Sequence, residues 1–139
     1  MWKYNNSGWI WMAGSQLINK APTYSGDSAG PGSRTGSVFW SDDTGFWLFG
    51  GKQNTGTNFW SDLWCYDVST KMWNFYGGNQ QANLGNGKYK YFISRYINMI
   101  LAAKFPGGRE GAVGGALSPS KYWIGLGRIG SVEGNSIEK

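Results

Sequence analysis

The chain is punctuated by short apolar runs, each closed by turn-forming residues. "SVFW" (37–40), "FWLF" (46–49), "LWCY" (63–66) and "WNFY" (73–76) are such runs, set among Ser, Asp, Thr, Gly and Lys. In "LWCYDV", Trp64 and Tyr66 fall on one side of an extended chain, with Leu63, Cys65 and Asp67 on the other. That two-residue period is a strand's. "SDDTG" (41–45) has the Asp and Gly content of a β-turn and joins the first two runs as a hairpin, and "DVSTKM" (67–72) joins the last two. The pattern predicts four antiparallel strands at about 36–41, 46–50, 62–67 and 73–77. The same reading predicts further strands near about 2–4, 9–12, 111–117 and 122–126.

These phrases recur. Laying "LWCYDVSTKMWNFYGGN" (63–79) over "MWKYNNSGWIWMAGS" (1–15) matches Trp64 with Trp2 and Tyr66 with Tyr4. With two residues dropped, Trp73 meets Trp9, Phe75 meets Trp11 and Gly78 meets Gly14. "PGSRTGSVFW" (31–40) lies over "PGGREGAVGG" (106–115), so that Pro31, Gly32, Arg34, Gly36 and Val38 each find an identical residue. Farther along, Trp47 meets Trp123. Self-similarity at this spacing marks a repeat architecture. The order of phrases is cyclic: the chain opens in the second half of one unit and closes in the first half of another.

Composition agrees with an all-β protein. The 139 residues include 9 Trp, 8 Tyr, 7 Phe and 23 Gly, and only 15% are charged. Aromatics suit the pleated surface of a strand, and glycines the tight turns between strands.

Apolar residues running into Gly50-Gly51, then Tyr66, then Trp73, make the chain resemble the kelch repeat. The wording is similar to the long, Trp-rich form related to the central propeller of galactose oxidase and to attractin-type proteins. The resemblance covers about 1–80 and 105–127 and is tightest over 31–78. It implies a partial β-propeller with one complete four-stranded blade, 34–79, between two half blades. Residues 1–15 would supply the third and fourth strands of one, and 105–127 the first and second strands of the other, leaving 128–139 as a tail. The resemblance makes Arg34, Gly36, Gly50, Gly51, Trp64, Tyr66, Trp73, Arg109 and Gly111 its structural signature, and Trp73 is expected to be a large buried ring of the core. Four to eight blades close a propeller, so this chain is expected to be a fragment of a larger ring or to need self-association.

Residues 85–104 depart from the pattern. Tyr89, Phe92, Ile93, Tyr96, Ile97, Ile100 and Leu101 recur at helical spacing, with Lys90, Ser94, Arg95 and Asn98 opposite. Three readings stay open: a helix inserted at about 88–102 and packed on a blade, a basic amphipathic helix for an anionic membrane or a partner, or translated non-coding sequence. The wider stretch from Val68 to Arg109 also concentrates the charge. Lys71, Lys88, Lys90, Arg95, Lys104 and Arg109 follow one another without an acid, while the formal net charge of the whole chain is +5. A basic character confined to one segment argues against a whole-domain nucleic-acid surface, and no nucleic-acid partner is expected.

Little chemistry is visible. The chain has no His and 1 Cys, which removes the commonest general base, the commonest metal ligand and any intrachain disulfide. The copper and cross-linked Tyr–Cys chemistry of galactose oxidase is therefore not carried over by the resemblance. Asp42-Asp43 reads as a turn rather than a catalytic pair. Arg34 and Arg109 are expected to bind carbonyls or an acid of a neighbouring blade. Neither "GSRTGS" nor "GGREGA" has the glycine spacing of a phosphate-binding loop. No cofactor and no enzyme activity are expected. The N-terminus shows no signal-peptide pattern, no apolar run approaches the ~20 residues of a membrane span, and the compartment is left open. Two function classes remain: a protein-interaction scaffold, or a carbohydrate-binding propeller segment using exposed Trp. A gene fragment with no independent function is the third possibility. Phe59 and Trp60, in the loop 52–61, are the candidate exposed contacts.

Overall fold

The computed structural model describes residues 1–53, 57–82, 107–118, 121–125 and 128–129. The predicted segment 85–104, the tail beyond residue 129 and the loop residues 54–56 lie outside the described residues.

The described chain is all-β. Its strands are β1 (Trp2–Asn5), β2 (Gly8–Trp11), β3 (Val38–Asp42), β4 (Gly45–Phe49), β5 (Ser61–Asp67), β6 (Met72–Asn79), β7 (Arg109–Glu110), β8 (Val113–Ser118), β9 (Lys121–Gly125) and β10 (Arg128–Ile129). β3, β4, β5 and β6 form one antiparallel sheet in chain order. β1–β2, β8–β9 and β7–β10 are separate two-stranded antiparallel sheets. The hairpins turn where side chains can take over the hydrogen bonding. Asp42 Oδ1 accepts from the backbone N–H of Thr44 and Gly45 at 2.8 and 3.2 Å, and Asp67 Oδ1 does the same for Ser69 and Thr70 at 2.7 and 3.2 Å. An aspartate that closes its own turn fixes the register of the strands it joins.

Alternation along the strands gives the central sheet two faces. The first carries Val38, Trp40, Trp47, Phe49, Leu63 and Cys65, which form the buried core. Ala112, Tyr122 and Ile124, from the β8–β9 unit, pack against it. Trp40 and Trp47 stack nearly parallel at 6.1 Å, and the Tyr122 ring lies 5.3 Å from each. A bulge in β6 places Tyr76 on the same side, 4.5 Å from the Trp47 ring. The second face carries Phe39, Phe46, Leu48, Trp64 and Tyr66. The polar linker before β3 folds over part of it, where Tyr24 stacks on Trp64 at 5.2 Å and meets Phe75 edge-on at 5.0 Å.

The internal repeat reappears in the strand pairing. Trp2↔Trp11 and Tyr4↔Trp9 in β1–β2 correspond to Trp64↔Phe75 and Tyr66↔Trp73 in β5–β6. Val38↔Phe49 and Trp40↔Trp47 correspond to Val113↔Gly125 and Gly115↔Trp123. Even the bridge Thr35↔Lys52 has a counterpart in Glu110↔Arg128. Matched residues also share backbone geometry: φ is 64° at Gly36 and 63° at Gly111, the left-handed region that favours glycine.

Gly51 needs to be glycine for a different reason. Its φ is 96°, and a Cβ there would sit 2.3 Å from Ser37 Oγ and 2.9 Å from the Thr35 carbonyl oxygen. The expected position of Trp73 in the core is not met: Trp73 is only partly buried, because β6 is the outer strand of the sheet and its ring is covered from one side by Tyr66 and Gly30. Trp47 takes the central place instead. Two outcomes are expected in thermal or denaturant unfolding. Trp47→Ala should cost about 3–5 kcal/mol, and Gly51→Val about 2–4 kcal/mol through strain and overpacking. Lys52→Ala, next to Gly51 but facing solvent in part, should stay within about 0.5 kcal/mol. Equal midpoints for all three would remove Trp47 and Gly51 from the core.

Candidate functional site

The sequence-predicted contact residues are not on the surface. Phe59 and Trp60 are both buried, which corrects the expectation that they are exposed anchors. Trp60 N–H donates to the Gly51 carbonyl at 2.8 Å, and Lys52 bridges Phe59, so the far end of the loop is drawn back onto the Gly50-Gly51 corner. There the Arg34 guanidinium lies 5.5 Å from the centre of the Trp60 ring, and the Lys52 ammonium 5.5 Å from that of Phe59. Arg109 threads through the same corner. Its N–H donates to the Trp60 carbonyl at 3.2 Å, and its carbonyl accepts from Gly51 N–H at 2.7 Å. Gly111 N–H donates to the Gly36 carbonyl at 2.8 Å, so equivalent glycines of two successive units touch. These residues join units together.

Arg34 saturates its donors inside the fold. Nη1 and Nη2 reach Asp62 Oδ1 and Oδ2 at 2.6 and 3.0 Å, Nη1 also reaches the Gly50 carbonyl at 2.8 Å, and Nε reaches the Pro31 carbonyl at 2.8 Å. A further bond joins Nη2 to the same Pro31 carbonyl. The acid it meets stands on β5 of its own sheet, not on a neighbouring blade. Asp62 is fully buried, and its Oδ2 also accepts from Tyr24 Oη at 2.9 Å and Trp64 Nε1 at 2.8 Å. Burial, and then the Asp62 charge beside it, raise the Tyr24 pKa well above its usual value, so the phenol stays a donor. Sequence reading passed over both Tyr24 and Asp62. The available signal was that Tyr24 is the sole aromatic between Leu17 and Phe39, in an otherwise polar linker.

A second polar contact joins the central sheet to the β8–β9 unit, where Tyr122 Oη donates to Asp42 Oδ2. Desolvation opposes charge on this carboxyl. Bonds from Thr44 Oγ1 (2.5 Å) and Tyr122, with a smaller effect of Trp47, outweigh it and hold the Asp42 pKa down at about 2. The Trp47 indole N–H is close enough to act on the carboxylate but completes no hydrogen bond. No group of three or more His, Cys, Asp or Glu side chains suited to a metal ion occurs among the described residues.

What the surface does offer is aromatic. Trp2, Tyr4, Trp9 and Trp11 stand on one face of the β1–β2 hairpin, in two edge-on pairs: Trp2–Trp11 at 5.2 Å and Tyr4–Trp9 at 5.3 Å. Trp2 and Tyr4 are 57% and 63% exposed, whereas their counterparts Trp64 and Tyr66 are 0% and 1% exposed. An open groove runs between the hairpin and the second face of the central sheet, lined by Trp2, Trp11, Phe39, Phe46, Leu48 and Trp73 among others. Phe39 is 79% exposed there. Flat, rigid aromatics grouped on one surface suit contact with another macromolecule.

Set against protein-family models, curated proteins and solved structures, the chain matches none. No helix among the described residues is long and apolar enough to cross a membrane.

Two outcomes follow from the polar clusters. Asp62→Ala leaves the Arg34 charge buried without its partner and should cost about 3–5 kcal/mol, read by denaturant unfolding; a loss under 1 kcal/mol would make the pair dispensable. The Asp42 carboxyl has a folded pKa of about 2, below its ordinary 3.8. Its contribution is therefore present above pH ~4 and is lost as pH falls towards 2. Asp42→Asn should flatten the melting temperature between those pH values, and a profile parallel to the parent chain would count against it.

Proposed function

We propose that this chain is a non-catalytic binding scaffold of the kelch β-propeller type, and that what it binds is protein. One observation carries the reading. An aromatic quartet occurs twice in the same strand register, largely covered in β5–β6 and open in β1–β2. A surface built like a buried one, and left open, is a surface that another polypeptide covers. The propeller reading also draws on the four-stranded meander followed and preceded by two-stranded sheets in matching register. Kelch-type blades supply such units, and their loops and faces serve interaction rather than chemistry.

The exposed Trp side chains are also the kind that stack on sugar rings, and one experiment separates the two. The full chain is presented to a glycan array and, in parallel, used as bait for protein capture, each beside Trp2→Ser/Trp9→Ser. The expected result is a protein bound by the parent and lost with the variant, with no glycan signal. A glycan signal lost with the same variant would replace the protein reading by the carbohydrate one.

A further inference from the structure

Resting on the protein-binding reading above, we infer that the groove between the β1–β2 hairpin and the second face of the central sheet takes an extended partner segment that is rich in proline and carries acidic residues.

Size excludes a compact ligand. The groove encloses about 1250 Å³, more than the ~300–1,000 Å³ of an ordinary small-molecule pocket. Its occupant is a stretch of chain. The rings along the groove favour one kind of chain. Trp2 and Trp11 meet edge to face at 5.2 Å and 79°, Tyr66 and Trp73 at 5.4 Å and 62°, and all four line the groove. The first pair stands in the open and the second lies deeper. Each pair sets two flat surfaces at a steep angle, the kind of corner that a rigid, apolar pyrrolidine ring fills. A proline-rich segment is also extended before it binds, so it loses little conformational freedom on docking.

The unspent polar groups of the groove are donors. Tyr66 is 1% exposed, and its buried hydroxyl has no hydrogen-bond partner. A buried hydroxyl left unpaired is costly, and an arriving acceptor relieves it. Trp73 packs edge-on against Tyr66 and is held from one side only, so its ring is the one that gives way to let an acceptor in. Lys3, Lys20 and Lys71 line the groove as well, are exposed, and pair with no acid among the described residues. Asp27 is the one acid among the described residues that line it, and Arg34 is spent on Asp62. A proline carbonyl accepts, while its nitrogen carries no hydrogen to leave unpaired, so a proline-rich chain meets these donors without burying an N–H of its own. The excess of lysine calls for acid in the partner, which steers and orients it.

Fluorescence anisotropy with the full chain tests the inference. The probe is a labelled proline-rich peptide flanked by glutamates, beside one with alanine for proline and one with lysine for glutamate. The first should bind, and the other two should bind at least about fivefold more weakly. In the chain, Tyr66→Phe and Lys20→Glu should each weaken the first peptide about three- to tenfold. Tyr66→Phe should leave the unfolding midpoint at or above the parent's, because no bond inside the fold is lost. Undiminished binding by Tyr66→Phe, a midpoint lowered by that change, or equal binding of the alanine or lysine peptide would each overturn the inference. If no peptide binds while the chain still captures a protein that Trp2→Ser/Trp9→Ser loses, the proline-rich class fails and the protein-binding reading stands. A glycan signal lost with that variant overturns both.

Discussion

The linker, the middle of the central sheet and the Gly50-Gly51 corner meet at one buried carboxylate. Asp62 is the second residue of β5 and has no exposed surface, and an isolated charge in that position would be far more costly than a folded domain tolerates. It is held because three side chains converge on it: Arg34 through two nitrogens, Tyr24 through its hydroxyl and Trp64 through its indole. The convergence does more than neutralise a charge. It ties the linker to the middle of the sheet, brings Tyr24 down onto Trp64, and leaves Arg34 free to hold the Gly50 and Pro31 carbonyls. Through Arg34 the anchorage reaches the Gly50 carbonyl and the Trp60 ring, at the corner where Arg109 bonds Gly51 and Trp60.

The strands were legible because their evidence is local. Alternation in "LWCYDV" and the Asp-containing turns at 41–45 and 67–72 each need only a few neighbouring residues to state their case, and the pairing follows from hairpin length. The repeat alignment was legible for the same reason, down to the dropped pair of residues between Tyr4 and Trp9. The site was not. Phe59 and Trp60 look like loop residues in sequence, and their burial depends on the Gly51 carbonyl, Arg34 and Arg109, which are distant along the chain. Asp62 reads as an ordinary polar residue at the start of a strand until Tyr24 and Arg34 are placed in space. Trp73 shows the converse. Its repeat position suggested the core, but an outer strand has one neighbour fewer, and the ring is covered from one side only.

Side-chain chemistry at the two ends of the sheet is divided between holding and offering. Asp42 and Asp67 spend their oxygens on turn N–H groups, and Asp42 on Tyr122 as well. Arg34 spends all its donors inside. What is left exposed on the β1–β2 hairpin and on part of the second face is mostly ring surface, whose contacts are less directional than those of a polar site.

The meander order of β3 to β6 bears on how this chain reaches its fold. Each strand pairs with the one just before it, so every ladder closes a short loop, and the central sheet can form from contacts of low sequence separation. The entropy of closure is then small at each step, whereas the Arg34–Asp62 contact spans the whole of β3 and β4 and can be made only once those strands are in register. Assembly of the sheet and burial of its charge are thereby ordered in time: hairpins first, then the linker swung over them. That order leaves Trp64 and Phe75 uncovered until the linker docks and brings Tyr24 down onto them, so the last step of folding is also the one that shields the middle of the second face.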